Sequence, residues 1–326
     1  MKALVTGATG FVGGLLAERL AARGHTVTAL VRDAARAEEL RRMGVRLVVG
    51  DLLPATGLAE AVDGQDVVFH VAGAVKARSE AEFVRVNVDG TRHILGAAER
   101  VGVPRFVHLS SLAACGPAER GRPLSGGEPE RPRTPYGRSK LAGEQAVRQT
   151  ALAWTIVRPP VVYGPRDREF LRVFRASRLG FAVVFGDGRQ ELSAVFGPDL
   201  AEALESIGEH GATVGRTYYA CHNERFTSET LAREIGRAAG REDLRVVRVR
   251  PALARLLLGA SGLAARFAGR ATLLDTNKLS EFFAPAWTAD PGALQRDTGW
   301  SASHDLRSGL AATAVWYRER GWLGRA

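Results

Sequence analysis

The chain is poor in cysteine and lysine and has no long apolar runs, and each shortage closes off a class of protein. Its 326 residues hold two cysteines, Cys115 and Cys221, far apart and outside any CxxC or Cys/His spacing. Neither a disulfide framework nor a zinc site is expected from that pair. The seven histidines show no HExxH or i,i+4 pattern, so no metal is expected at all. Only four of the 45 basic residues are lysines: Lys2, Lys76, Lys140 and Lys278. Arginines carry most of the net charge of +10, scattered along the whole chain with no dense basic run interleaved with aromatics. That pattern reads as a solvated basic surface and not as a nucleic-acid interface. The most apolar stretch, residues 252–268, is interrupted by Arg255 and Arg266. It falls short of the roughly 20 residues a membrane-crossing helix needs. It reads as core of a smaller lobe, or as the lining of an apolar pocket. Met1 runs within a few residues into a strand and a glycine motif, which leaves no room for a signal peptide. A soluble, cytoplasmic protein without a membrane partner is expected.

Hydrophobic residues make up 45% of the chain, enough to bury a sizeable core. Through about residue 160, short apolar runs alternate with helical patterns. That is the signature of a parallel sheet covered on both faces. The runs predict strands at 2–6, 26–31, 46–49, 66–71, 105–109 and 154–158. Residues 11–23 predict an amphipathic helix, with Leu15, Leu16 and Leu20 on one face and Gly24 placed to end it. Beyond 160 the rhythm changes. A strand near 216–220 is expected to return to the sheet, and the rest is helix-rich with irregular connections. Residues 116–135, rich in Gly, Pro, Arg and Glu, read as a long loop of the kind that forms lids or binding elements.

Between the first strand and the first helix stands Thr6-Gly7-Ala8-Thr9-Gly10-Phe11-Val12-Gly13. Glycine at this spacing allows a tight turn and lets backbone N–H groups meet a pyrophosphate at the helix's positive end. A lone glycine triplet is weak evidence, but its place between strand and helix is the context that supports dinucleotide binding. Gly7, Thr9, Gly10, Phe11, Val12 and Gly13 are therefore candidate cofactor contacts. The second strand ends Leu30-Val31-Arg32-Asp33, with valine where NAD-selecting folds place an acid. Arg32, helped by Arg36, would grip the 2′-phosphate of NADP through paired hydrogen bonds. The alternative leaves Arg32 merely exposed and gives the ribose to Asp33, so NAD stays possible. Asp51 and Leu52 follow the third strand, where a short acid would accept from the adenine amino group. Val71, Ala72 and Gly73 follow the fourth, where small residues let backbone approach the ribose and nicotinamide. These signals predict a doubly wound α/β sheet, a Rossmann fold, spanning residues 1–165 with the strand at 216–220. A smaller, discontinuous, α-rich substrate lobe is expected from 166–215 and 221–326.

The fifth strand ends in Ser110-Ser111, which puts hydroxyls at the sheet's carboxyl edge. Farther on, Thr134 suits a helix N-cap and Pro135 the first helical position. Tyr136 and Lys140 then lie four apart on one helix face. A lysine ammonium beside a tyrosine, next to an oxidised nicotinamide, favours the phenolate and lowers its pKa. Tyr136 would exchange a proton with a substrate hydroxyl or carbonyl while hydride moves to or from the nicotinamide.

With the glycine turn, the strand-ending serines and Tyr-x-x-x-Lys in this order, the chain resembles the extended short-chain dehydrogenase/reductases of the NAD-dependent epimerase/dehydratase type. The resemblance implies that Ser111, Tyr136 and Lys140 are catalytic. It implies a structural and proton-relay role for Asn87, in Asn87-Val88-Asp89-Gly90-Thr91. It implies nicotinamide contacts from the segment holding Pro159, Val161 and Val162, and a homodimer packed through helices after the fourth and fifth strands. Two departures stand out. Cys115 replaces the tyrosine common before the motif glycine, Gly116, which reads as reshaped pocket or as ordinary packing. Near Leu192, sugar-nucleotide members usually carry a diphosphate-binding arginine, and none is present there; Arg189 or Arg172 would have to compensate. The leading expectation is an NADP-dependent oxidoreductase acting on a carbonyl or secondary alcohol of a largely apolar small-molecule substrate. In this the chain resembles the dihydroflavonol reductase and 3β-hydroxysteroid dehydrogenase branches. A nucleotide-sugar epimerase or dehydratase is the alternative, and a non-catalytic NADP-binding sensor the third reading.

Overall fold

The computed structural model describes residues 1–267 and 278–324. Its strands are β1 (Lys2–Thr6), β2 (Thr26–Val31), β3 (Arg46–Val49), β4 (Val67–His70), β5 (Arg105–Leu109), β6 (Trp154–Val157) and β7 (Val161–Tyr163). They continue as β8 (Phe181–Phe185), β9 (Glu191–Leu192), β10 (Ala194–Phe196), β11 (Arg216–Tyr218), β12 (Phe226–Thr227), β13 (Arg245–Val249) and β14 (Ala286–Trp287). The first six helices are α1 (Phe11–Ala22), α2 (Glu38–Arg42), α3 (Leu58–Val62), α4 (Glu80–Val84), α5 (Gly90–Val101) and α6 (Pro135–Arg148). After them come α7 (Arg168–Ser177), α8 (Gly197–Glu209), α9 (Ser228–Ala238), α10 (Pro251–Phe267), α11 (Leu279–Phe282), α12 (Gly292–Thr298) and α13 (Leu306–Glu319).

Seven strands form one parallel sheet in the order β11-β6-β5-β4-β1-β2-β3. The chain winds outward from β1 through β2 and β3, then crosses back to β4 and continues the other way. This is a doubly wound Rossmann-type fold, and its strand order reverses between β1 and β4. A crevice opens there, beyond the carboxyl ends of the strands. Alternation along each strand feeds two cores. Ala3, Val5, Val27 and Ala29 pack with Leu16 and Leu20 of α1 and Leu204 and Ile207 of α8. Leu4, Val68, Phe106 and Ile156 face the other way, onto Leu58, Ile94, Ala98 and Val147. Burial on both faces is why these strands read as nearly continuous apolar runs.

Element edges differ from the sequence reading by a residue or two. The fourth strand starts at Val67 because the Asp66 carboxylate turns to accept from the Lys2 amide at 2.6 Å. The sixth strand ends at Val157 and the returning strand at Tyr218. Helix α1 stops at Ala22, and Gly24 takes φ +81°, with His25 N–H bonded back to the Leu20 carbonyl at 3.0 Å. The loop at 116–135 is pinned by isolated bridges pairing Ala118 with Ala286 and Leu124 with Ala289. Residues 251–267 are helical, but the expectation of core fails at its start. Leu253, Leu256 and Leu257 are exposed, and only Ala254 and Leu258 turn inward. Residue 268, the end of that apolar stretch, lies outside the described residues.

Candidate active site

The glycine turn is built so tightly that side chains have no place in it. Gly7 adopts φ +74°, and a Cβ there would stand 2.8 Å from Ala72 backbone atoms across the crevice. A Cβ on Gly13 would lie 2.3 Å from the Gly7 carbonyl oxygen, so the third glycine lets α1 sit directly on the turn. Helix α1 opens at Gly10 with no side-chain cap and no acid in its first turn. Its N-terminal N–H groups and positive dipole end therefore face the crevice without a competing carboxylate, which fits an anionic pyrophosphate. Thr9 and Gly10 are exposed there, with Phe11 and Val12 half-buried. Thr6 Oγ1 ties the ends of β1 and β4 together: it accepts from the Ala72 amide at 3.2 Å and lies 2.8 Å from His70 Nδ1.

At the neighbouring strand ends the candidates separate. Arg32 is exposed and forms no hydrogen bond or ion pair among the described residues. Arg36 turns instead to the Asp33 carboxylate at 3.2 Å, which leaves Arg32 as the uncommitted guanidinium. Asp51 Oδ1 accepts from the Leu53 amide at 3.2 Å, and Leu52 is buried in the second core. Val71 and Ala72 are half-buried and Gly73 is exposed. A Cβ on Gly73 would meet Asn87 Oδ1 at 3.1 Å and Lys140 Nζ at 3.6 Å, so the chain passes close to both side chains there.

Helix α6 delivers the tyrosine and the lysine. Thr134 caps it, accepting from the Gly137 amide at 3.2 Å, and Pro135 follows at the first turn. The helix lies close against the end of β5, where a Cβ on Gly137 would stand 2.4 Å from the Ala113 carbonyl oxygen. That contact brings the Tyr136 phenol near the Ser111 side chain, whose hydroxyl favours the charged form of the phenol. Lys140 Nζ, almost wholly buried, donates to the Leu109 carbonyl at 2.7 Å, on the same strand end. Asn87 sits in a π-helical bulge, Arg85–Asp89, between α4 and α5. Its amide nitrogen donates to the Ala74 carbonyl at 3.0 Å and to Ser139 Oγ at 2.9 Å, while its oxygen accepts from the Ala74 amide at 2.7 Å. One side chain thus fixes the segment after β4 against α6.

The electrostatics differ from the sequence expectation in one respect. Burial pushes the Tyr136 phenol up to about 12, opposed by the Ser111 hydroxyl and reinforced by the Glu281 carboxylate. Without a bound cofactor's charge, desolvation wins and the phenol holds its proton. Burial also brings the Lys140 ammonium down to about 8, partly offset by Glu144. Behind it, His70 and His108 stack at 5.3 Å, and burial followed by the Lys140 charge depresses both, His70 to about 3.

Several neighbours escaped sequence reasoning. Lys278 Nζ stands 5.4 Å from the centroid of the Tyr136 ring, within cation–π range, and pairs with Glu281. Glu281 in turn accepts from Thr134 Oγ1 at 2.7 Å. The only available signal was that Lys278 is one of four lysines in an arginine-rich chain. Glu144, fully buried, accepts from Ser110 Oγ at 2.5 Å and from Arg158 Nε at 2.8 Å. Its spacing four residues after Lys140 was legible as a shared helix face.

The remaining candidates fall around this centre. The Pro159 carbonyl accepts from the Leu112 amide at 2.9 Å, just past Ser111. Val161 and Val162 are half-buried in β7. Cys115 is buried among Leu112, Ala118, Leu124 and Tyr219, as packing requires. Leu192 is buried with Tyr163, Phe196 and Phe226. Arg172 is committed to Glu169 at 3.0 Å, and Arg189 lines a separate surface groove with Arg233 and Arg248. At the opposite edge of the sheet, His25, Glu205 and Glu209 bring potential ligand atoms together. Arg19 already occupies Glu205 there at 2.5 Å, which disfavours a cation.

Comparison with known proteins agrees with this geometry. Residues 3–221 match the NAD dependent epimerase/dehydratase family. The chain is 31% identical to a ceramide reductase of Caulobacter vibrioides, over 98% of this chain and 95% of that one. It is also 31% identical to a 2-alkyl-3-oxoalkanoate reductase of Stenotrophomonas maltophilia, over 74% and 76%. Among solved structures, MoeE5 in complex with UDP-glucose and NAD superposes with a TM-score of 0.77 at 26% identity, covering 98% of this chain and 99% of that one.

Proposed function

This chain belongs to the NAD dependent epimerase/dehydratase family and is an NAD(P)-dependent oxidoreductase of the extended short-chain type, and from that premise we propose that it is an NADP-dependent reductase of a carbonyl on a largely apolar small molecule, with Tyr136 as its acid. The observation that carries the reading is that Tyr136, beside Ser111, shares α6 with Lys140, which is held at the end of β5 by the Leu109 carbonyl at 2.7 Å. The burial of Leu192 supports an apolar substrate over a nucleotide sugar, since no guanidinium stands there to anchor a diphosphate. The two reductase relatives, named for a ceramide and a 2-alkyl-3-oxoalkanoate, support the same choice.

Gly7, Gly10, Gly13 and the start of α1 would hold the pyrophosphate, Arg32 the 2′-phosphate, and Gly73, Tyr136 and Lys140 the ribose and nicotinamide side. The dinucleotide supplies hydride chemistry when bound. Ser111 orients the substrate oxygen and the phenol together. A protonated Tyr136 gives its proton to that oxygen as negative charge develops on it. The buried Lys140 ammonium then stabilises the phenolate left behind. Asn87 positions α6 and the segment after β4, so that phenol and substrate oxygen stay aligned.

In the same reading, residues 1–165 with the strand near 216–220 form the cofactor core, and 166–215 with 221–326 form the substrate lobe. A cytoplasmic homodimer packed through α5 and α6 belongs to it as well. The test is a panel of alkyl ketones of increasing chain length beside nucleotide sugars. Net NADPH consumption with ketones is expected, rising with chain length. Interconversion of nucleotide sugars without net redox change would instead favour an epimerase, a reading the MoeE5 similarity keeps in view. Cofactor binding without turnover on either set would leave only a sensor.

A further inference from the structure

We propose that the first half of α10 is an interfacial anchor that lays this enzyme on the surface of an anionic lipid bilayer. Two independent features point there. The first is an apolar stripe facing water. Leu253, Leu256 and Leu257 are 49%, 69% and 49% exposed, and Ala260 is exposed with them. Their i, i+3, i+4, i+7 spacing puts them on a single helix face. Ala254 and Leu258 turn inward and seat the helix on the protein. The preceding ribbon repeats the pattern. Val183 of β8 and Val247 of β13 are paired in register and exposed, as is Phe181, while Ala182 and Val184 point inward. One residue, Arg250, separates this ribbon from the helix.

The second feature is charge. From Leu244 to Ala260 the sequence contains four arginines and no acid, and one of the four, Arg248, is paired with Glu229. Arg245, Arg250 and Arg255 are exposed and pair with no acid among the described residues. A partner for this face must accept leucine side chains and offer negative charge beside them. An anionic bilayer surface does both, the leucines entering the headgroup–acyl boundary while the arginines meet phosphates. A second copy of the chain fits less well, because a two-fold contact through the start of α10 would set Arg250 and Arg255 against their own copies. No described helix is long and apolar enough to cross a membrane, so the contact is peripheral. The inference does not depend on which molecule the enzyme reduces.

The experiment is vesicle flotation of the full chain at low and high salt. Phosphatidylglycerol–phosphatidylcholine vesicles are compared with pure phosphatidylcholine. Wild type is expected to float with the anionic vesicles and to release them as salt rises. The L253S/L256S/L257S variant should stay in solution, with melting temperature and NADP binding unchanged. The R250Q/R255Q variant should bind at least about tenfold more weakly. The proposal is overturned if wild type ignores both vesicles, or if the leucine variant floats equally well. It is also overturned if that variant abolishes a concentration-dependent self-association in vesicle-free buffer, which would identify a second copy as the occupant.

Discussion

Tyr136 holds its proton at neutral pH because burial outweighs the opposing influence of Ser111, and this suits a group that donates to a carbonyl. Tyr136→Phe removes the donor and little else. Turnover is expected to fall by about 10²–10⁴-fold, while NADP still binds by fluorescence titration; wild-type turnover in that variant would remove the mechanism. Lys140 has its own pH signature. Its amine loses charge as pH passes about 8, and with it the stabilisation of the phenolate. The reductive kcat should therefore be level through neutral pH and decline above about 8. Lys140→Arg, which stays charged, should push that decline to higher pH, and an unmoved limb would assign it to another group. At the far end of the proposed cofactor site, Arg32 has no partner among the described residues and Arg36 is taken by Asp33. Arg32→Asp is expected to shift preference from NADP toward NAD, while Arg36→Ala should change it far less. Equal NADP and NAD affinities in both wild type and Arg32→Asp would refute the strand-end argument.

At the scale of elements, the site depends on how closely α6 lies against the end of β5. Gly137 is the spacer: an added methyl would come 2.4 Å from the Ala113 carbonyl, so α6 would have to move off. Gly137→Ala improves helix propensity by up to about 1 kcal/mol, yet it is predicted to lower kcat by separating Tyr136 from Ser111. Far-UV circular dichroism and turnover measured together decide it, and wild-type turnover would mean the close approach is incidental. The glycine turn has the same logic, with β1, α1 and the segment after β4 converging on Gly7 and Gly13. Helix α10 shows the limit of reading elements from sequence. Its apolar content pointed to core, but Leu253, Leu256 and Leu257 lie on its water-facing side.

For the whole molecule, the buried pair His70 and His108 sets an acid limit on stability. Both are neutral in the fold, with His70 depressed to about 3 and His108 well below its ordinary value. The unfolded chain binds protons at these rings below pH about 6.5, whereas the fold does not. Stability is therefore full above that pH and falls as pH drops below it, by up to about 1.4 kcal/mol per pH unit for each ring. Urea unfolding at pH 7 and pH 5 should show this loss, and His108→Phe should lose less over the same interval. An identical loss would show that the ring is not buried neutral. The sequence alone determined the doubly wound sheet, the glycine turn and the Tyr136–Lys140 pair. These are written in neighbouring residues: strand and helix periodicity, φ-permissive glycines, and an i,i+4 spacing that needs no other part of the chain. Only the tertiary structure decided that Ser111 lies near Tyr136 across the long loop, that Lys278 and Glu281 stand beside the phenol, and that α10 turns Leu253, Leu256 and Leu257 outward. Those outcomes depend on which distant surfaces pack together, and no local pattern records whether an apolar face will find a partner within its own chain.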